Sequence, residues 1–202
     1  MKSLVHYMQE KLVIKKNKST NYKYFPKTRE ELQDIILRRI KDEGNEVDLN
    51  NIDVSKINDM SFLFEGTNFN GDISSWDVSN VTNMNRMFAG CESFNQDISN
   101  WDVSNVRDMS FMFLKCFKFN QDISTWNVSN VTNMSYMFFW CESFNQDISS
   151  WDVSNVTDMN NMFYHCKAFN KDISNWNVSN VKINNFIFDN CPIEEKYKPK
   201  FK

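Results

Sequence analysis

The chain has 202 residues, with 18 Phe, 11 Met and 6 Trp against only 4 Gly and 3 Pro, so it can bury a sizeable core and is neither a disordered acidic tail nor a Gly/Pro-rich fibre. The formal charge of −3 is uneven: residues 1–51 carry +3, residues 52–191 carry −8 and residues 192–202 carry +2. An acidic middle argues against a nucleic-acid groove, which needs clustered Lys and Arg, and no window reaches the roughly 18 apolar residues of a membrane span.

The N-terminus, MKSLVHYMQEKLVIKKNKS, has neither the apolar run nor the small-residue cleavage site of a signal peptide, so the expectation is a cytoplasmic chain. One helix is expected from Ser3 to Ile14, followed by a basic linker. The next segment, TREELQDIILRRIKDEG (residues 28–44), reads as a capped amphipathic helix. Thr28 is the candidate N-cap, with Glu31 three residues on completing a capping box. Leu32, Ile35, Ile36, Arg39 and Ile40 make the inward stripe, and Gly44 is the candidate C-cap. Residues 1–51 are therefore taken as an N-terminal helical segment and cap.

From there the sequence repeats with a period of 25. Trp recurs at Trp76, Trp101, Trp126, Trp151 and Trp176, and Cys at Cys91, Cys116, Cys141, Cys166 and Cys191. Phe recurs in two columns, one starting at Phe69 and the other at Phe88. A degenerate unit from Ile52 to Phe69 precedes five full ones. Units this short cannot bury a core alone, so they must stack as a solenoid over residues 52–191. Within a unit, Ile73, Trp76 and Val78 have strand-like spacing, while Val81, Met84, Met87 and Phe88 follow a helical or 3-10 rhythm. The expected fold is thus an α/β repeat solenoid with one short parallel strand and one short helical segment per coil. A β-helix is the structural alternative. Asn184 and Ile187 replace the usual Met at the last unit, and residues 192–202 form a basic C-terminal tail or cap.

These residues resemble a known group. Ile73-x-x-Trp76-x-Val78 fits the leucine-rich-repeat strand pattern. Met87-Phe88-x-x-Cys91-x-x-Phe94 is similar to the signature of BspA-like leucine-rich repeats, and the D-I-S-x-W-D-V-S-N-V-T-x-M variant to the bacterial surface-protein repeats grouped as DUF285. The resemblance implies a horseshoe-like or straight solenoid used for binding, and a surface or secreted location for many relatives.

Twelve of the 25 columns never change across the five full units. The apolar ones are expected to be core ladders. The fixed acids Asp72, Asp97, Asp122, Asp147 and Asp172, together with the Asn70, Ser79 and Asn80 columns, are expected to hydrogen-bond loop backbone and staple each turn to the next, with calcium binding as the alternative. The Cys column is expected to be buried thiol; stacked neighbours would also come within disulfide range, whereas zinc lacks its usual spacing.

The free columns are where binding is expected to reside. Arg86 becomes Phe111, Tyr136, Asn161 and Phe186; Ala89 becomes Leu114, Phe139 and Tyr164; Gly90 becomes Lys115, Trp140 and His165. Phe111, Leu114, Tyr136, Phe139, Trp140 and Tyr164 are the candidate partner-binding patch, packing between coils being the alternative. A second candidate is the polar face carrying Ser75, Asn100, Thr125, Ser150 and Asn175, which suits a structural or adhesive array. His6 and His165 have no metal-ligand partner at motif spacing, and no nucleophile or phosphate-loop motif occurs. The expectation is a monomeric, non-catalytic binding scaffold for a protein partner, without cofactor or metal.

Overall fold

The computed structural model describes residues 21–201, and the helix expected from Ser3 to Ile14 lies outside them. Helix α1 (Arg29–Glu43) starts at Thr28, whose extended backbone frees its hydroxyl to accept the Glu31 N–H at 3.2 Å. The Glu31 carboxylate does not fold back on Thr28; it accepts the Lys27 N–H at 2.7 Å, one residue earlier. Gly44, at φ 92, closes the helix by donating its N–H to the Ile40 carbonyl at 2.9 Å. Leu32 and Ile36 are fully buried, and Ile35 and Ile40 pack partly against the core.

Stacked coils follow, but they contain neither the expected strand nor the expected helical segment. Among the described residues the regular elements are α1 and a 3-10 turn, Glu195–Tyr197. Around Trp76 the chain makes two tight turns instead of a strand: the Trp76 N–H donates to the Ile73 carbonyl at 3.1 Å and the Val81 N–H to the Val78 carbonyl at 2.9 Å. In the Met stretch the spacing of three is real, yet only alternate bonds are internal. The Met87, Ala89 and Cys91 N–H groups close turns on the Met84, Arg86 and Phe88 carbonyls. The intervening Met84, Arg86, Phe88 and Gly90 N–H groups cross to the Asp108, Ser110, Met112 and Leu114 carbonyls of the next coil at 2.7–3.0 Å. A helix would have kept all of them. It is broken because two residues four apart are left-handed in every coil, Arg86 (φ 56) and Gly90 (φ 76) in this one. The parallel contact between coils consequently sits just before the Met84 column, running from Asp59 through Asn83, Asp108, Asn133 and Asp158 to Ile183.

The apolar columns all turn inward and stack on their copies. The Phe88, Phe113, Phe138 and Phe163 rings stand 5.6–5.7 Å apart, and Phe113 lies 4.0 Å from Phe119 of its own coil. Trp76 stacks parallel to Trp101 at 6.4 Å. Coil geometry also reaches back before Ile52: Asp48 accepts the Asn50 N–H at 2.8 Å just as Asp72 accepts that of Ser74. Gly71 stands where later coils carry Gln or Lys because a Cβ there would overlap the Val47 carbonyl.

The two ends are finished differently. At the N-terminal end the Ser61 carbonyl, which in later coils would accept from a preceding coil, is taken by the Arg29 guanidinium at 3.1 Å, and Gln33 donates to the Phe62 carbonyl at 3.1 Å. Tyr24 adds a parallel bridge to Ile52 beside α1. At the C-terminal end the tail covers only part of the last coil. The Ile173 N–H donates to the Tyr197 carbonyl at 3.0 Å, and Tyr197 and Phe201 pack partly against the core.

Candidate interaction surface

The fixed polar columns are occupied by structural work. Asp72, Asp97, Asp122, Asp147 and Asp172 each accept, through Oδ1, the N–H of the Ser two residues on at 2.8–3.0 Å. The acids thus hold their own turns; the staple to the neighbouring coil expected of them is not among these bonds, because so short a side chain is committed within its Asx turn. The same bonds offset the like-charge stack. The Ser124 N–H holds the Asp122 carboxyl below the usual carboxylate range, the Ser149 N–H does so for Asp147, and the Ser174 hydroxyl for Asp172.

Stapling between coils falls to amides, indoles and thiols. Asn105, Asn130, Asn155 and Asn180 donate through Nδ2 to a Ser carbonyl one coil back at 2.7 Å. Gln96, Gln121 and Gln146 donate to the Asn carbonyl one coil back at 2.7–2.8 Å. Trp101 and Trp126 reach the Ile73 and Ile98 carbonyls through Nε1 at 3.3 and 3.1 Å. The thiols of Cys91, Cys116, Cys141 and Cys166 donate to the Phe64, Phe88, Phe113 and Phe138 carbonyls at 2.8–3.0 Å. All five cysteines are unpaired, and burial pushes the Cys91 thiol up to about 12. The column therefore calls for a small donor rather than merely a small side chain. Thr67 stands in this column in the first coil, but its hydroxyl turns to the Phe64 carbonyl of its own coil at 2.8 Å, the carbonyl that also takes the Cys91 thiol.

The variable columns lie on the opposite logic. Phe111, Leu114, Tyr136, Phe139, Trp140 and Tyr164 are all half-buried. Phe111 is sandwiched between the Arg86 guanidinium, 4.2 Å from its ring centre, and Tyr136 at 4.6 Å. Phe139 stacks on Tyr164 at 4.8 Å and Trp140 on His165 at 4.5 Å, with Lys167 at 5.9 Å from the Trp140 ring. The rings thus pack from coil to coil while part of each stays in solvent. His165 reaches Asn190 through Nε2 at 3.0 Å.

Phe111, Tyr136 and Trp140 carry a feature that repeat comparison missed: they occupy the two left-handed columns, at φ 59, 57 and 63. The signal was present in the same columns as Gly66, Gly90, Asn161 and Asn190, residue types that favour this conformation.

Among the described residues no three His, Cys, Asp or Glu side chains are grouped to hold a metal ion, and no helix is long and apolar enough to cross a membrane. A shallow depression of about 320 Å³ on the polar face is lined by Asp122, Gln146 and Asp147, which already hold the Ser124 N–H, the Asn120 carbonyl and the Ser149 N–H. No curated protein and no solved structure matches the chain. The family described as "Mycoplasma protein of unknown function, DUF285" matches residues 36–139 and again residues 97–198, so that most of the chain is covered and it belongs to the DUF285 family.

Proposed function

We propose that the protein is a non-catalytic binding scaffold of the BspA-like leucine-rich-repeat kind that takes a protein partner on the stacked aromatic columns of its middle coils. The observation that carries this reading is the placement of Phe111, Tyr136 and Trp140 in left-handed backbone. A non-Gly residue there costs about 1–2 kcal/mol. The same left-handed corner and the same bond to the next coil are made with Gly90 or Asn161 in those positions, which supports a role for the rings beyond closing the coil. Aromatic side chains held half in solvent, flanked by Arg86 and Lys167, have the composition of an interface anchor. Five unpaired cysteines fit a reducing compartment, which supports a cytoplasmic site of action.

The test substitutes residues the chain already uses in the same columns: Tyr136→Asn, Phe139→Ala and Trp140→Gly in one variant. Affinity capture followed by mass spectrometry, compared with the unaltered chain, is expected to lose a specific partner while thermal stability stays level or rises. A drop of about 3 kcal/mol or more, the size of a core deletion, would show the rings to be packing and sink the reading.

A further inference from the structure

We infer that the C-terminal edge of the solenoid is a second docking site, separate from the aromatic columns, that accepts an acidic peptide segment of a partner protein as one more rung. In each preceding coil from Met84 onward, four alternate N–H groups donate to the next coil, as Met84, Arg86, Phe88 and Gly90 do. Their counterparts in the last coil are Asn184, Phe186, Phe188 and Asn190, and none of these N–H groups has an acceptor among the described residues. The side chains beside them are correspondingly uncovered: Ile183 is 45% exposed and Phe186 61%. An open edge of this kind is a template for pairing with another chain.

The tail does not close the edge; it forms the far wall of a groove of about 830 Å³ against it. That wall brings Lys196, Lys198 and Lys200; Glu194 holds Lys196 at 2.9 Å and Glu195 holds Lys198 at 2.7 Å, which leaves Lys200 as the lysine of the lining with no carboxylate on it among the described residues. The row of parallel N–H dipoles, with Lys200 beside it, makes the groove favour carbonyl acceptors and carboxylates. A second copy of this chain does not fit. The rung carbonyls at its opposite end lie under α1, where Leu32 and Ile36 are fully buried and Arg29 holds the Ser61 carbonyl.

The probe is a synthetic peptide of residues 57–67, INDMSFLFEGT, which carries Asp59 and Glu65 and has the sequence of a rung without the covering helix. Added to the full chain, it is expected to slow amide hydrogen exchange at Asn184, Phe186, Phe188 and Asn190 by about ten-fold, the worth of one net hydrogen bond each. The version with Asp59→Lys and Glu65→Lys is expected to bind about ten-fold more weakly or not at all. The reverse exchange, Lys196→Glu with Lys200→Glu in the protein, is expected to weaken the original peptide while leaving the melting temperature in place. Three results overturn the proposal: no saturable protection with either peptide, equal binding of both, or protection of the same four amides that grows with protein concentration alone and so marks self-association.

Discussion

Each coil carries two kinds of column with the same period, and they follow opposite rules. The inward columns, Phe113 or Trp126 for example, keep one residue type through the full units before the last coil and are there fully or almost fully buried. The left-handed columns, Arg86 to Phe186 and Gly90 to Asn190, change in nearly every unit and, buried Asn161 apart, lie at the surface of the stack, although their backbone bonds to the next coil are just as regular. The difference separates two demands that repetition usually mixes. A side chain inside the stack must fit its copies above and below, so one choice propagates. A left-handed corner is made by backbone alone, so its side chain is free to be chosen for something else.

The sharpest way to break this contrast is to delete a ring from the inner set. Phe113 has stacked neighbours at 5.7 Å on both sides and Phe119 at 4.0 Å. Phe113→Ala is expected to cost about 3–5 kcal/mol in a denaturant titration, because rigid neighbours held by their own staples cannot collapse into the space. An effect below about 1 kcal/mol would mean that the coils slide to close the cavity and that the stack is not the rigid ladder described.

The inner columns should also give the protein an alkaline flank. Cys91 is pushed up to about 12 by burial, while an unfolded thiol titrates near 9.0. Between these values the unfolded chain loses a proton that the folded one keeps, so stability falls as pH rises through that window, by about 1.4 kcal/mol per pH unit at most for each such thiol. Denaturant midpoints measured from pH 8 to 11 are expected to fall, and to fall less steeply in Cys91→Ala. An unchanged slope would show that the thiol is not shielded.

Much of this was legible in the sequence, and the limits are instructive. The period, the buried ladders and the capped helix followed from spacing and from Thr28 and Gly44. The secondary structure inside the coil did not. Met84, Met87 and Phe88 have a helical rhythm because successive tight turns also advance by about three residues, and side-chain spacing cannot say where every second N–H goes. The Trp76-x-Val78 alternation arises from turns that return the chain to the core, not from a strand. The candidate binding residues were findable because they vary, but their left-handed backbone was hidden by large side chains; only Gly66, Gly90, Asn161 and Asn190 disclosed it. Likewise, of the fixed polar columns expected to bridge coils, the Asn80 column does so, as at Asn105, while Asp97 holds its own turn, and Gln96 and Cys116 are bridges the fixed polar columns did not announce.

A gentler test sharpens the outer set. Lys115 is exposed at φ 59, and its N–H donates to the Phe139 carbonyl at 2.7 Å, the same length that Gly90 makes to Leu114. Lys115→Gly should relieve about 1–2 kcal/mol of left-handed strain. It should give back about 0.5–1 kcal/mol in unfolded-chain entropy. The expected outcome is a net gain of roughly half a kcal/mol, read as a small rise in melting temperature. A loss instead would mean that the Lys115 stem covers apolar surface, and the corner would then not be free.

The smallest effect is expected where a fixed function tolerates two residue types. Asp152 accepts the Ser154 N–H at 3.0 Å, and one coil earlier Asn127 does the same work for Ser129 at 3.2 Å. Asp152→Asn therefore keeps the turn and should change stability at pH 7 by no more than about 0.5 kcal/mol. Acid separates the two. The Ser154 hydroxyl holds the Asp152 carboxyl below its ordinary value of 3.8, so the unfolded chain takes up this proton first as pH falls. The contribution is present above that value and lost on descending through the lowered one. Denaturant midpoints compared at pH 7 and pH 3 should show the Asn variant losing less than the parent, by a small margin because the site is largely in solvent. If Asn at 152 instead destabilises strongly at pH 7, the carboxylate has a role beyond its own turn. The polar face would then owe its acids to a requirement that Asn127 and Asn177 do not meet.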